Sequence, residues 1–184
     1  MVTKRGLIIT VGGPPGAGTT TFSKKLAEIL GLRYVYAGEI FREEAKRRGL
    51  TLEEFSRMAE EKEEIDKELD RLMLAEIKKG GVVAEGRLTG PLAKMEGVEC
   101  FSIWMDAHPG IRARRIKERE GGDLRDILRR MREREESERR RYMNIYGIDI
   151  YDLSLYDLII ETSFITPKEE IKLALDELEK RGLL

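Results

Sequence analysis

The chain has 184 residues, which is enough to bury one hydrophobic core but short for two, so a single domain is expected. Its 34 basic and 35 acidic residues leave a formal net charge of −1, which argues against a nucleic-acid-binding protein that relies on bulk positive charge. The lone Cys100 and the lone His108 exclude a disulfide framework, a Cys/His zinc site and a histidine-centred triad, so any chemistry must use carboxylates, arginines, backbone amides and a bound metal.

Short apolar runs alternate with helical patterns along the chain. This alternation is typical of βαβ units and predicts an α/β fold with a parallel sheet. Five strands are predicted, at residues 7–11, 34–36, 82–84, 103–105 and 158–160. The helix after the first strand has Phe22, Leu26, Ile29 and Leu30 on one face, which is the face expected to pack on the sheet.

Two helical insertions are predicted to interrupt this core. Residues 38–79, between the second and third strands, read as several helices and predict a small lobe. Residues 108–144 are rich in arginine, break at Gly121–Gly122 and predict a lid. The core is then formed by residues 1–37, 80–107 and 145–184, and its last helix is expected to begin at Thr166–Pro167.

A glycine-rich loop lies between the first strand and the first helix. Its residues are Gly13, Pro14, Pro15, Gly16, Ala17, Gly18, Thr19, Thr20 and Thr21. Glycines let successive backbone amides point inward at phosphate oxygens, and the positive end of the following helix adds its field. The loop matches the nucleotide-binding pattern G-x4-G-K-[ST], with the Thr20 hydroxyl in the position that binds Mg²⁺. We therefore expect it to bind the phosphates of ATP.

The loop departs from that pattern at one position, because Thr19 occupies the place of the lysine. The missing charge near the β- and γ-phosphates is expected to come from the arginine-rich segment, with Arg112, Arg115 and Arg119 as candidates. Other charges of this segment, such as Glu135 and Arg139, are spaced i, i+4 and are predicted to form pairs on the solvated helix face.

Further polar residues follow the ends of predicted strands, where ligand crevices form in open parallel sheets. Gly38 and Arg42 follow the second strand, and Glu85 and Arg87 follow the third. Glu85 is expected to orient water bound to Mg²⁺. A third group, Arg134, Glu138 and Arg141, is spaced i, i+4, i+7 and so shares one helix face.

Taken together, these segments resemble the archaeal branch of the cytidylate kinases, within the adenylate kinase-like family, over nearly the whole chain. The similarity is carried by residues 13–21, 36–42, 85–88, 141–150 and 155–160. The resemblance implies a P-loop kinase fold that transfers the γ-phosphoryl group of ATP to CMP, and also to dCMP, with Mg²⁺. It also implies that the lobe holds the monophosphate and that the lid closes over both nucleotides.

Residue by residue, the resemblance implies that Arg42 and Arg87 contact the acceptor phosphate. Arg134, Glu138 and Arg141 resemble an Arg/Asp/Arg set that engages ribose and phosphate in bacterial cytidylate kinases, with Glu here in place of Asp. The acceptor site is thus expected at Gly38, Arg42, Arg87, Arg134, Glu138 and Arg141, and the catalytic cations at Arg87, Arg115, Arg119 and Arg134. Thr20 and Glu85 are expected to hold the metal.

Two alternatives remain open from the sequence. The first is a kinase of the same fold that acts on UMP, AMP or a small hydroxyl substrate such as shikimate. The second is an adenylate kinase-like ATPase that assists assembly and binds RNA or protein through a basic face formed by Arg129, Arg130, Arg132 and Arg139–Arg141. With no apolar run of about 18 residues and no leader pattern, we expect a soluble cytoplasmic monomer that binds neither membrane nor nucleic acid.

Overall fold

The computed structural model describes residues 6–184. Within them the chain forms a five-stranded sheet in which all paired strands are parallel, in the order β2-β3-β1-β4-β5. The strands are β1 (Ile8–Gly12), β2 (Arg33–Tyr36), β3 (Val82–Glu85), β4 (Phe101–Asp106) and β5 (Leu158–Glu161). The predicted α/β fold and its five strands are therefore confirmed.

Eight α-helices surround the sheet in the described part of the chain. They are α1 (Thr19–Leu30), α2 (Ala37–Arg47), α3 (Leu52–Glu61), α4 (Glu63–Lys78), α5 (Thr89–Met95), α6 (Pro109–Glu120), α7 (Leu124–Tyr146) and α8 (Pro167–Lys180). The predicted break at Gly121–Gly122 separates α6 from α7. The sequence did not predict α5, because seven residues that include Gly90 and Pro91 give too short a pattern to separate from a loop.

Several helices begin at side chains that bind the free amides of the first turn. Thr51 with Glu54, and Thr166 with Glu169, form capping boxes at the starts of α3 and α8. Asp123 accepts hydrogen bonds from two amides at the start of α7. These caps set where each helix begins, and hence which side chains of α3 and α7 face inward.

The core lies on both faces of the sheet. On one face the inward residues of β1 and β4 pack against α1 and α8 through Leu26, Phe22 and Leu178. On the other face Trp104, fully buried, packs against α5 and the segment after α7. Both faces are covered, as expected for parallel strands whose residues are mostly apolar.

The carboxyl ends of the strands open into a cleft of about 980 Å³. The helices α2, α3 and α4, inserted between β2 and β3, form one wall, and α7, inserted between β4 and β5, forms another. A cleft at this end of the sheet is where open α/β folds bind their ligands. Residues 6–184 contain no helix that is both long and apolar enough to span a bilayer.

Candidate active site

The glycine-rich loop between β1 and α1 forms one end of the cleft. Gly16 and Gly18 have φ angles of 83° and 90°, in the left-handed region that favours glycine. A Cβ atom on Gly13 would collide with the carbonyl oxygen of Met105, and one on Gly16 would lie 2.6 Å from that of Arg112. The loop is therefore held in a shape, against β4 and α6, that only glycine permits at these positions.

Glu85, at the end of β3, lies under the start of α1. Its Oε1 accepts hydrogen bonds from the hydroxyls of Thr19 and Thr20, each at 2.8 Å, and its Oε2 accepts one from Tyr34 at 2.5 Å. Burial and the neighbouring Glu85 carboxylate raise the pKa of Tyr34 far above its ordinary range, so this hydroxyl stays protonated and donates. Thr19 thus fills the lysine position with a hydroxyl that is tied to Glu85.

Two of the arginines expected to replace that lysine lie behind the loop. Arg112 is 5% exposed and donates to the carbonyl oxygens of Ala107 and Pro15, and to Glu135 at 2.5 Å. Arg115 donates to the carbonyl oxygen of Gly16 and to Thr162. Both guanidinium groups therefore support the loop from outside the cleft, and a direct contact of Arg115 with the transferred group stays a prediction.

The remaining arginine of this set, Arg119, lines the cleft and pairs with the adjacent Glu120. The predicted surface pair of Glu135 with Arg139 is wrong. Glu135 binds Arg112, and Arg139 binds Asp149 at 2.5 Å, because the packing of α7 turns each side chain toward a different neighbour. Glu135 thereby links α7 to the glycine-rich loop through Arg112.

A chain of charged groups crosses the middle of the cleft. Arg87, just after β3, pairs with Oε1 of Glu138 on α7, and Arg134 donates to the same oxygen at 3.1 Å. Glu138 is only 6% exposed. Its Oε2, like the Nε of Arg87, is buried without a hydrogen-bond partner in the part of the chain that the structure describes. A buried polar atom without a hydrogen bond costs free energy unless a ligand or a water molecule supplies the missing partner.

The far end of the cleft contains polar residues that the sequence reasoning missed. Asp66 and Asp70 of α4 line the cleft. Asp66 pairs with Arg141 at 3.1 Å, and Asp70 accepts a hydrogen bond from Tyr146 at 2.7 Å. Their signal in the sequence was the i, i+4 spacing beside the apolar positions of α4, because acidic residues there must be partly buried.

The other expected acceptor residues, Gly38 and Arg42, also line the cleft, at the start of α2. The Arg42 guanidinium lies 5.9 Å from the centroid of the Tyr36 ring and is exposed. Arg130 of α7, which the assembly-ATPase alternative would use to bind RNA or protein, lines the cleft as well. The structure thus brings Gly38, Arg42, Arg87, Arg134, Glu138 and Arg141 to one cleft with the glycine-rich loop.

A phosphate-binding loop, a carboxylate beneath its threonines and a second site rich in arginine within the same cleft are the parts needed to bring two phosphate compounds together. The fold and this site define a P-loop kinase. The model of the cytidylate kinase-like family matches residues 8–164, and the chain belongs to that family.

Relatives over the full length support this assignment. The chain is 48% identical to a cytidylate kinase of Pyrococcus horikoshii over 182 residues, which are 97% of this chain and 93% of that protein. It is 46% identical to a cytidylate kinase of Methanopyrus kandleri, with 95% and 96% of the two chains covered. A cytidylate kinase of Methanocaldococcus jannaschii is 50% identical over 158 residues, 85% of this chain and 89% of that protein.

Solved structures of lower identity share the fold. A shikimate kinase from Acinetobacter baumannii in complex with shikimate aligns with a TM-score of 0.64 at 18% identity, covering 98% of this chain and 97% of its own. An uncharacterized protein from Eubacterium ventriosum aligns with a TM-score of 0.72 at 20% identity, covering 94% and 98%. At these identities the likeness concerns the arrangement of sheet and helices only.

Proposed function

We propose that this protein transfers the γ-phosphoryl group of ATP to the phosphate of CMP, and also of dCMP, giving ADP and CDP or dCDP. The observation that carries the proposal is the single cleft that joins the glycine-rich loop to the Arg87–Glu138–Arg134 group. The cytidylate kinases to which the chain is nearly 50% identical support CMP as the acceptor.

The loop is proposed to bind the donor. Its residues and the start of α1 line the cleft, and its backbone amides would cradle the β- and γ-phosphates of ATP. Thr20 and Glu85 offer a hydroxyl and a carboxylate beside this cradle, a donor set that fits Mg²⁺, which prefers oxygen ligands and usually takes only one or two from protein carboxylates. They would hold the ion, which when bound would neutralise charge on the phosphates.

Arg87, Arg134 and Arg42 are proposed to bind the acceptor phosphate. In the structure Arg87 and Arg134 share Oε1 of Glu138, so both guanidinium groups are already oriented toward one point of the cleft. Oε2 of Glu138 is free to accept from a ribose hydroxyl. Since the acceptor phosphate is ionised, the reaction needs positioning and charge neutralisation more than a strong base.

The charge that Thr19 does not supply is proposed to come from Arg119, together with Arg130 and Arg134, whose side chains line the cleft. Arg112 and Arg115 would instead keep the loop in shape through its carbonyl oxygens. Closure of α6 and α7 over the loop would bring these cations to the moving phosphoryl group and exclude water, which would otherwise hydrolyse ATP.

A coupled assay of ADP formation tests the proposal with ATP and each of CMP, dCMP, UMP and AMP as acceptor, with identification of the products. We expect CMP and dCMP to give rapid turnover and CDP and dCDP as products. Hydrolysis of ATP that is stimulated by RNA, without phosphorylation of any nucleotide, would instead support the assembly ATPase. Turnover with UMP or AMP but not CMP would support another acceptor.

A further inference from the structure

The end of the cleft away from the glycine-rich loop is lined by two carboxylates on one face of α4. Asp66 and Asp70 are one helical turn apart, so both side chains point to the same side. Leu69 and Met73 of the same helix and Tyr142 of α7 also line the cleft and give this end apolar walls. Apolar walls with a few fixed polar groups are typical of a pocket that holds a ring.

The two carboxylates have different partners. Asp66 pairs with the guanidinium of Arg141 at 3.1 Å and is therefore neutralised. Within residues 6–184, Asp70 accepts one hydrogen bond, from the hydroxyl of Tyr146. Because an ionised carboxylate can accept about four hydrogen bonds, Asp70 retains acceptor positions for a ligand.

The surroundings of Asp70 make its ionisation costly. Burial, together with the charge of Asp66, raises its pKa to about 6, although the Tyr146 hydrogen bond and Arg141 act in the opposite direction. At neutral pH the Asp70 carboxylate is thus ionised and partly buried, and it accepts a hydrogen bond from the neutral Tyr146 hydroxyl. A ligand that donates a hydrogen bond here would stabilise it.

Independent signs of a ligand lie on the facing helix. In the described residues, Nε of Arg141 and Oε2 of Glu138 are buried and have no hydrogen-bond partner. Glu138 is more than nine-tenths buried and lines the cleft. This end of the cleft therefore presents an unused donor, an unused acceptor and a carboxylate within one apolar pocket.

The spacing along α7 places these groups relative to the acceptor phosphate. Arg134, at the phosphate end, and Arg141 are seven residues apart, which is about 10 Å along a helix axis. Glu138 lies between them. The order of phosphate, ribose and base in an extended nucleotide matches the order Arg134, Glu138, Arg141 along this helix.

We propose that Asp70 accepts a hydrogen bond from the exocyclic amino group of cytosine, while Arg141, oriented by Asp66, donates to the acceptor atoms of the same ring edge. The proposal rests on the proposed function. It explains selectivity, since uracil carries a carbonyl oxygen in place of the amino group and would face the Asp70 carboxylate with like polarity. Asp70 is thus the specificity-determining residue, and Asp66 is a positioning residue.

The test is Asp70→Asn, measured as kcat/KM for CMP and for UMP at saturating ATP. Asparagine replaces one acceptor oxygen of Asp70 with an amino group, which would face the cytosine amino group with like polarity but can donate to uracil. We expect kcat/KM for CMP to fall about 10- to 150-fold, while the value for UMP stays or rises. The matched control is Glu63→Gln, an exposed carboxylate of α4 that pairs with Lys67 on the surface.

The ratio of the two kcat/KM values separates recognition from general damage. A ratio of CMP to UMP that falls at least tenfold in Asp70→Asn but not in the control supports the proposal, as does calorimetry that finds weaker CMP binding with unchanged ATP binding. A ratio unchanged within threefold, or an equal fall for both substrates, would overturn it. Wild-type protein that phosphorylates neither CMP nor dCMP would instead refute the proposed function.

Discussion

Asp70→Asn should also make the protein more stable at neutral and alkaline pH. The carboxyl has a pKa of about 6 in the folded chain, raised by burial from its ordinary value of 3.8. The folded state therefore binds this proton more tightly than the unfolded state, so its stabilising effect is complete at low pH and is lost as the pH rises from about 4 to 6. A rise of the pKa from 3.8 to about 6 corresponds to about 3 kcal/mol.

Asparagine cannot ionise, and its amide oxygen can still accept from Tyr146. We therefore expect the variant to exceed wild type in free energy of unfolding by about 3 kcal/mol at pH ~8 and by only about 1 kcal/mol at pH ~4.5. Urea titrations at both pH values measure this, with Glu63→Gln as the control. A variant that is no more stable than wild type at pH ~8, or a difference independent of pH, would refute the reasoning.

Three further predictions concern the loop and the acceptor site. Arg87→Ala should lower turnover of CMP by about 30- to 1,000-fold with ATP affinity nearly unchanged, because a charge-assisted contact to the acceptor phosphate is lost. Unchanged turnover at saturating and limiting CMP would contradict the assignment of Arg87 to the acceptor phosphate. Gly16→Ala should abolish ATP binding, measured with a non-hydrolysable analogue, because the new Cβ would lie 2.6 Å from the carbonyl oxygen of Arg112 and the φ of Gly16 is 83°. Analogue affinity within twofold of wild type would show that the loop adapts. The kcat/KM ratio of CMP to UMP should fall as the pH is lowered from about 7.5 to 5.5, because Asp70, flanked by Asp66, Arg141 and Tyr146, then gains a proton and can donate to uracil. Ionisation of the acceptor phosphate affects both substrates equally and cancels in this ratio. A ratio that does not change with pH would contradict the role of Asp70.

The sheet and the donor loop were predictable because their signals are contiguous in the chain. Alternating apolar runs and helical patterns define the strands, and glycines at fixed offsets between a strand and a helix define the loop. The arginines after β2 and β3 were also predictable, since parallel strands bring their carboxyl ends to one edge. Each of these inferences needs only local spacing and a general rule of topology.

The sequence by itself therefore determined the fold, the position of the glycine-rich loop and most of the arginines that line the cleft. Only the tertiary structure decided the partners of the charged side chains, because the contacts of α7 with α4 and of α6 with the loop set them. Asp66 and Asp70 meet Arg141 and Tyr146 across 75 and 76 residues of chain, and Arg112 is buried with its guanidinium on Pro15. The i, i+4 spacing of Asp66 and Asp70 indicates a shared helix face, but no local pattern encodes the long-range neighbours that make Asp70 a costly buried carboxylate.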